Sequence, residues 1–146
     1  MTFNELSELL ESNPTKSFGQ GVSDAEIDTA SAELQVELTG GYRLFLKRFG
    51  WGGVGSIDLF GLGVDVPPYL SLTAMTRSER EDMSPALPMH LIPLMNDGGG
   101  NLYCLDSLGE REPPVVFWDH TAEPTRVAAD FTTWLAERVE RELDME

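Results

Sequence analysis

The stretch that decides the fold begins His90-Leu91-Ile92-Pro93-Leu94 and runs through Asn96-Asp97-Gly98-Gly99-Gly100 to Asn101-Leu102-Tyr103-Cys104-Leu105-Asp106. Two short apolar runs flank a polar tripeptide-glycine turn, where three consecutive glycines allow positive φ without steric penalty. The pattern predicts two strands joined by a tight connection. Val115-Val116-Phe117-Trp118 predicts a third strand after a loop, 107–114, that carries two prolines.

Working outward, the flanks read as helices. Phe3, Leu6, Leu9 and Leu10 recur at helical spacing over residues 2–11, and Asn13-Pro14 stops the run. Ser23 and Glu26 form a capping box for a helix reaching about Leu34, with Ile27, Ala30 and Leu34 on one face. A further helix follows Gly40-Gly41, with Tyr42, Phe45, Leu46 and Phe49 inward and Arg43, Lys47 and Arg48 outward. Ile57, Leu59, Phe60 and Leu62 suggest a short strand or hairpin arm. Pro67-Pro68 opens a helix through Leu70, Leu72, Met75 and Arg80. Asp130 caps a last helix whose buried stripe is Phe131, Trp134, Leu135, Val139 and Leu143. The expected architecture is a single α+β domain over residues 1–146, with a twisted antiparallel sheet flanked by helices. Residues 1–20 are its N-terminal helix and linker, and residues 21–146 its core.

Charge narrows the partners. Across 146 residues, 25 acids oppose 10 bases, a net charge of −15. Such a balance works against binding nucleic acid or an anionic membrane and favours a basic macromolecular partner. The excess is uneven: residues 1–40 hold eight acids against Lys16, residues 41–96 are balanced, and residues 97–123 hold six acids against Arg111. One cysteine, Cys104, leaves no internal disulfide and no multi-cysteine zinc site, and is expected to be a buried inert thiol. The start, Met1-Thr2-Phe3-Asn4-Glu5, has neither a basic nor an apolar targeting region, so a cytoplasmic location is expected.

Two blocks of residues resemble the SUKH superfamily. The first runs Gly21-Val22-Ser23, Glu26-Ile27, Leu38, Tyr42-Arg43, Phe45-Leu46 and Phe49-Gly50. The second runs Ile92-Pro93, Asp97-Gly98-Gly99-Gly100-Asn101, Leu105-Asp106 and Val115-Val116-Phe117-Trp118-Asp119-His120, followed by the Phe131 to Leu135 helix. The resemblance spans roughly residues 20–140 in family order. The chain departs from the pattern at Leu38-Thr39, where Leu-Pro is usual, at Ser31, usually an acid, and at Gly50-Trp51, usually Asn-Gly. The resemblance implies an α+β fold and, for bacterial members, immunity proteins of polymorphic or contact-dependent toxin systems. These bind a toxin domain, often a nuclease, and block it without catalysis. Some eukaryotic relatives instead regulate cell-wall synthesis through protein contacts.

Three functions compete. The first is a non-catalytic immunity protein that needs no cofactor or metal and binds a basic toxin domain. Its candidate interface is Asp65, Glu110, Glu112, Asp119 and Glu123, gathered by loops at one end of the sheet, with Trp51 as an exposed anchor if it is not core. The second is an interaction scaffold with an endogenous partner. The third is a metal-dependent hydrolase built on Asp97, Asp106, Asp119 and His120. Against the third, Asp97 beside three glycines also reads as a turn-forming side chain, and Asp119-His120 as a strand corner.

Overall fold

The computed structural model describes residues 1–108, 111–121 and 123–144. Helix α1 spans Phe3–Glu11, α2 Asp24–Leu34, α3 Gly40–Arg48, α4 Leu72–Glu81 and α5 Phe131–Asp144. Strands β1, Ser17–Phe18, and β2, Gly52–Gly53, form a two-stranded antiparallel pair. Strands β3, Leu91–Asn96, β4, Leu102–Asp106, β5, Val115–Trp118, and β6, Thr125–Ala128, form an antiparallel meander in chain order. The architecture is α+β, as the sequence predicts.

The helix starts follow from local chemistry. The Glu26 amide donates to Ser23 Oγ at 3.2 Å, and the Glu26 carboxylate accepts from the Ser23 amide, completing the capping box. Thr2 and Glu5 do the same for α1. At α5 the Thr133 amide donates to Asp130 Oδ1 at 2.8 Å. The buried faces of all these elements form one apolar cluster. It includes Leu6 and Leu10 of α1, Ile27 and Leu34 of α2, Tyr42 and Phe45 of α3, Trp118 of β5 and Leu135 of α5. Leu6 and Leu10 are at most 1% exposed, so burial of each stabilises the fold by about 1.5–3 kcal/mol. The first helix is therefore part of the core. The Tyr42 hydroxyl, buried within the cluster, donates to the Phe60 carbonyl at 2.7 Å.

The structure corrects three sequence expectations and adds one strand. Residues 57–62 form no strand. Leu59 makes one bridge with Gly52 and Gly61 one with Ser71, while Ile57, Leu59 and Phe60 are all buried. The segment wraps closely around the 50–53 turn, where a Cβ on Gly61 would stand 1.7 Å from the Gly50 carbonyl oxygen. The helix expected from Pro67 is divided. Pro68–Leu70 is a 3₁₀ turn, Ser71 is extended, and its Oγ caps α4 by accepting from the Ala74 amide. Leu143 is exposed, so the α5 stripe ends at Val139. Strand β6 was not foreseen, because its first three residues are exposed and it carries no alternating apolar face.

Candidate functional site

Sheet register fixes where the acids lie. Leu102 pairs with both Asn96 and Trp118, and Phe117 with Thr125, so the 97–101 and 119–124 connections share one end of the meander. Leu91 pairs with Asp106, Leu105 with Val115, and Val115 with Ala128 at the other end. Asp97, Asp119 and Glu123 therefore occupy the first end, and Asp106 and Glu112 the second. A four-residue strand separates these ends by about 13 Å. The candidate acids do not gather in one place, and Glu110 lies outside the described residues.

Asp97 and Asp119 have local roles. Asp97 Oδ1 accepts from the amides of Gly99, at 2.7 Å, and Asn101, at 3.1 Å, holding a turn in which Gly98 and Gly100 have positive φ. Asp119 Oδ1 accepts from both the hydroxyl and the amide of Thr121, at 2.6 and 3.1 Å. These bonds from Thr121, the hydroxyl foremost, hold the Asp119 carboxyl below the usual carboxylate range. Asp119 and Glu123 remain solvent-exposed.

Glu112 is different. It is half-buried, and its Oε1 accepts from the Gly41 amide at 3.0 Å, at the start of α3. Thr39, the residue preceding that helix, makes no side-chain cap. A carboxylate from the β4–β5 loop thus satisfies an unpaired donor and sits at the positive end of the helix dipole. Gly40 makes room for it: φ there is +65°, and a Cβ would stand 2.2 Å from the carboxylate.

Trp51 is half-buried and donates from Nε1 to Asp65 Oδ1 at 3.0 Å, with Asp65 exposed. Its ring lies against Gly19, where a Cβ would meet Nε1 at 2.0 Å. The basic face of α3 is occupied by acids. Arg43 bridges Asp24 and Asp28 at 2.9 and 3.0 Å, Lys47 meets Asp24 at 3.2 Å, and Arg48 meets Glu11 at 2.9 Å.

The hydrolase constellation is not assembled. Asp106 lies at the opposite end of the sheet from Asp97, Asp119 and His120. His120, at φ +70°, stacks on Trp118 with ring centroids 4.2 Å apart, and its Nδ1 lies 3.3 Å from Asn101 Oδ1. Its Nε2 stands 3.9 Å from Glu79 Oε2 on α4, and both atoms are buried without a hydrogen-bond partner. Burial raises the Glu79 carboxyl above its ordinary range, and His120 partly offsets that rise. Sequence reasoning missed this contact. Glu79 sits on the α4 face that also buries Thr76 and Leu72, and its period was the available signal. Among the described residues no group of three His, Cys, Asp or Glu side chains is arranged to hold a metal ion. Cys104 is a buried free thiol, its ionisation pushed up by burial. No helix of the described residues is long and apolar enough to cross a membrane.

A family model described as SUKH_5, SMI1-KNR4 cell-wall, matches residues 1–140. That span covers both residue blocks, the α1 helix and the greater part of α5, and the chain belongs to this family.

Proposed function

We propose that this protein is an immunity protein: it binds a cognate toxin domain and neutralises it stoichiometrically, without catalysis, through an acidic surface. Family membership is the observation that carries the reading. The charge supports it. The net charge is −15, and Arg43, Lys47, Arg48 and Arg77 are each held by acids of the same chain. The remaining carboxylates set a negative potential that steers a basic partner into encounter. A nuclease domain, with a surface built for a polyanion, is such a partner. Asp119 and Glu123 stay in the candidate interface as exposed acids on one turn, Asp65 as the exposed acid beside Trp51, and Glu112 only secondarily, since it already caps α3.

Absence of catalysis is supported by the fate of the polar residues of the 97–120 segment. Asp97 and Asp119 are engaged in turns, and His120 is packed between Trp118 and Glu79. A location in the cytoplasm, where a toxin delivered from a neighbouring cell acts, goes with this reading. The test is co-expression with a secreted toxin domain sought in the neighbouring reading frames. The proposal requires a co-purifying complex and rescue of growth; a toxin that kills equally well with or without the chain overturns it. The cell-wall description of the family favours a second reading, a regulatory scaffold with an endogenous partner. That reading predicts a growth or envelope phenotype on deletion in cells that carry no toxin.

A further inference from the structure

Residues 62–70 lead from the Gly61 bridge into α4. The Gly61 amide donates to the Leu70 carbonyl at 2.9 Å, and the Leu72 amide to the Gly61 carbonyl at 2.8 Å, so residues 62–70 form a loop closed at its neck. Compact loops of this kind are frequently functional. Inside it, the Val66 amide bonds to the Gly63 carbonyl and the Leu70 amide to the Pro67 carbonyl. Pro67 and Pro68 restrict the backbone further. From outside, the Trp51 to Asp65 hydrogen bond braces the loop against the turn that follows α3. Buried Leu70 anchors its far end.

On this braced loop Val64 is fully exposed and Tyr69 is 67% exposed. Neither contributes to the core, so folding does not account for them. Large apolar side chains on a rigid loop lose little conformational freedom on association, and tyrosine is among the residues that dominate interface energetics. Beside Val64 lies a cleft of about 120 Å³ between the loop and the start of α2, with room for the end of one side chain. The ionisable residues lining it are Glu26 and Asp65, both acids.

We propose that the 62–70 loop is the main docking surface of this protein. Its occupant is a partner protein that places a lysine or arginine in the cleft between Glu26 and Asp65 and packs apolar groups on Val64 and Tyr69. The inference rests on the immunity reading and assigns that reading's contact area: an apolar centre with acids around it. Trp51 holds the loop in place, and its own ring is not the anchor.

The test uses the full chain and a toxin domain that it neutralises, with affinity and rates measured for the wild type, for Val64→Ser with Tyr69→Ala, for Asp65→Lys, and for Glu140→Lys. Val64 and Tyr69 are exposed, so the double variant should unfold like the wild type. The expected result is a loss of affinity of about 30-fold or more in the double variant, mostly through faster dissociation. Asp65→Lys should also weaken binding, and Glu140→Lys, a reversal at an exposed acid of α5, should change it less than threefold. Amide exchange of residues 62–70 in the wild-type complex gives an independent readout, and strong added protection is expected there. If the wild type binds tightly while the double variant binds within threefold of it and the loop gains no protection, the loop assignment is overturned and the immunity reading stands. If the wild type forms no complex, both fall.

Discussion

Replacing Glu112 separates a structural acid from an interface acid. Its carboxylate accepts the Gly41 amide at 3.0 Å, while Thr39 supplies no cap to α3. Glu112→Ala removes the acceptor and leaves a half-buried amide unpaired, a change that costs about 1–2 kcal/mol by analogy with lost helix caps. Glu112→Gln keeps an acceptor and removes the charge, so only the dipole contribution of about 0.3–1 kcal/mol is lost. For a domain of this size the Ala variant corresponds to a Tm fall of about 3–6 °C. Urea unfolding at low and high salt is the assay. The Gln deficit should shrink with salt, because screening weakens the charge–dipole interaction, whereas the larger part of the Ala deficit should persist. An Ala variant within 0.3 kcal/mol of wild type, by the resolution usual for about 1 kcal/mol effects, would refute the capping role. Glu112 would then return to the candidate interface on equal terms with Asp119.

Two further outcomes follow from buried groups. Glu79→Gln should stabilise the protein at pH 8 by about 1 kcal/mol, since it removes a carboxylate whose Oε2 is buried without a hydrogen bond. The folded-state pKa of Glu79 is raised, so the wild type is relatively more stable below the unfolded-state value and loses that advantage as pH rises through the folded-state value. The gain from Gln should therefore fade in melts below about pH 4, near the reference carboxyl value. Cys104 should resist alkylation in the native state at pH 8 and react fully in denaturant, because its thiol is buried and its ionisation suppressed; rapid native-state labelling would contradict its place in the core.

The legible parts of the fold were those governed by neighbours in sequence. Ser23 and Glu26 lie three residues apart, and their reciprocal hydrogen bonds needed nothing beyond the helix itself. The 97–101 turn was set by glycines and one aspartate. What escaped depended on distant partners. Glu112 caps a helix 71 residues away, and nothing within its own loop announces that contact. The Trp51 to Asp65 bond hides in the same manner, joining two loop residues 14 positions apart. Strand β6 is held by hydrogen bonds to β5 while three of its four side chains face solvent, so the apolar alternation used to find strands is absent. The dispersal of the acids was open to inference. Glu112 precedes β5 and Asp119 follows it, so any extended strand between them must hold them apart.

Association kinetics with the toxin domain that the proposal requires test the central claim most directly. The full chain should form a complex of about nanomolar affinity or tighter, with an association rate constant that falls at least tenfold between low and high salt, as expected for electrostatically steered partners. Lack of a complex would contradict the immunity function. A tight complex whose association rate ignores salt would contradict the part assigned to its charge of −15.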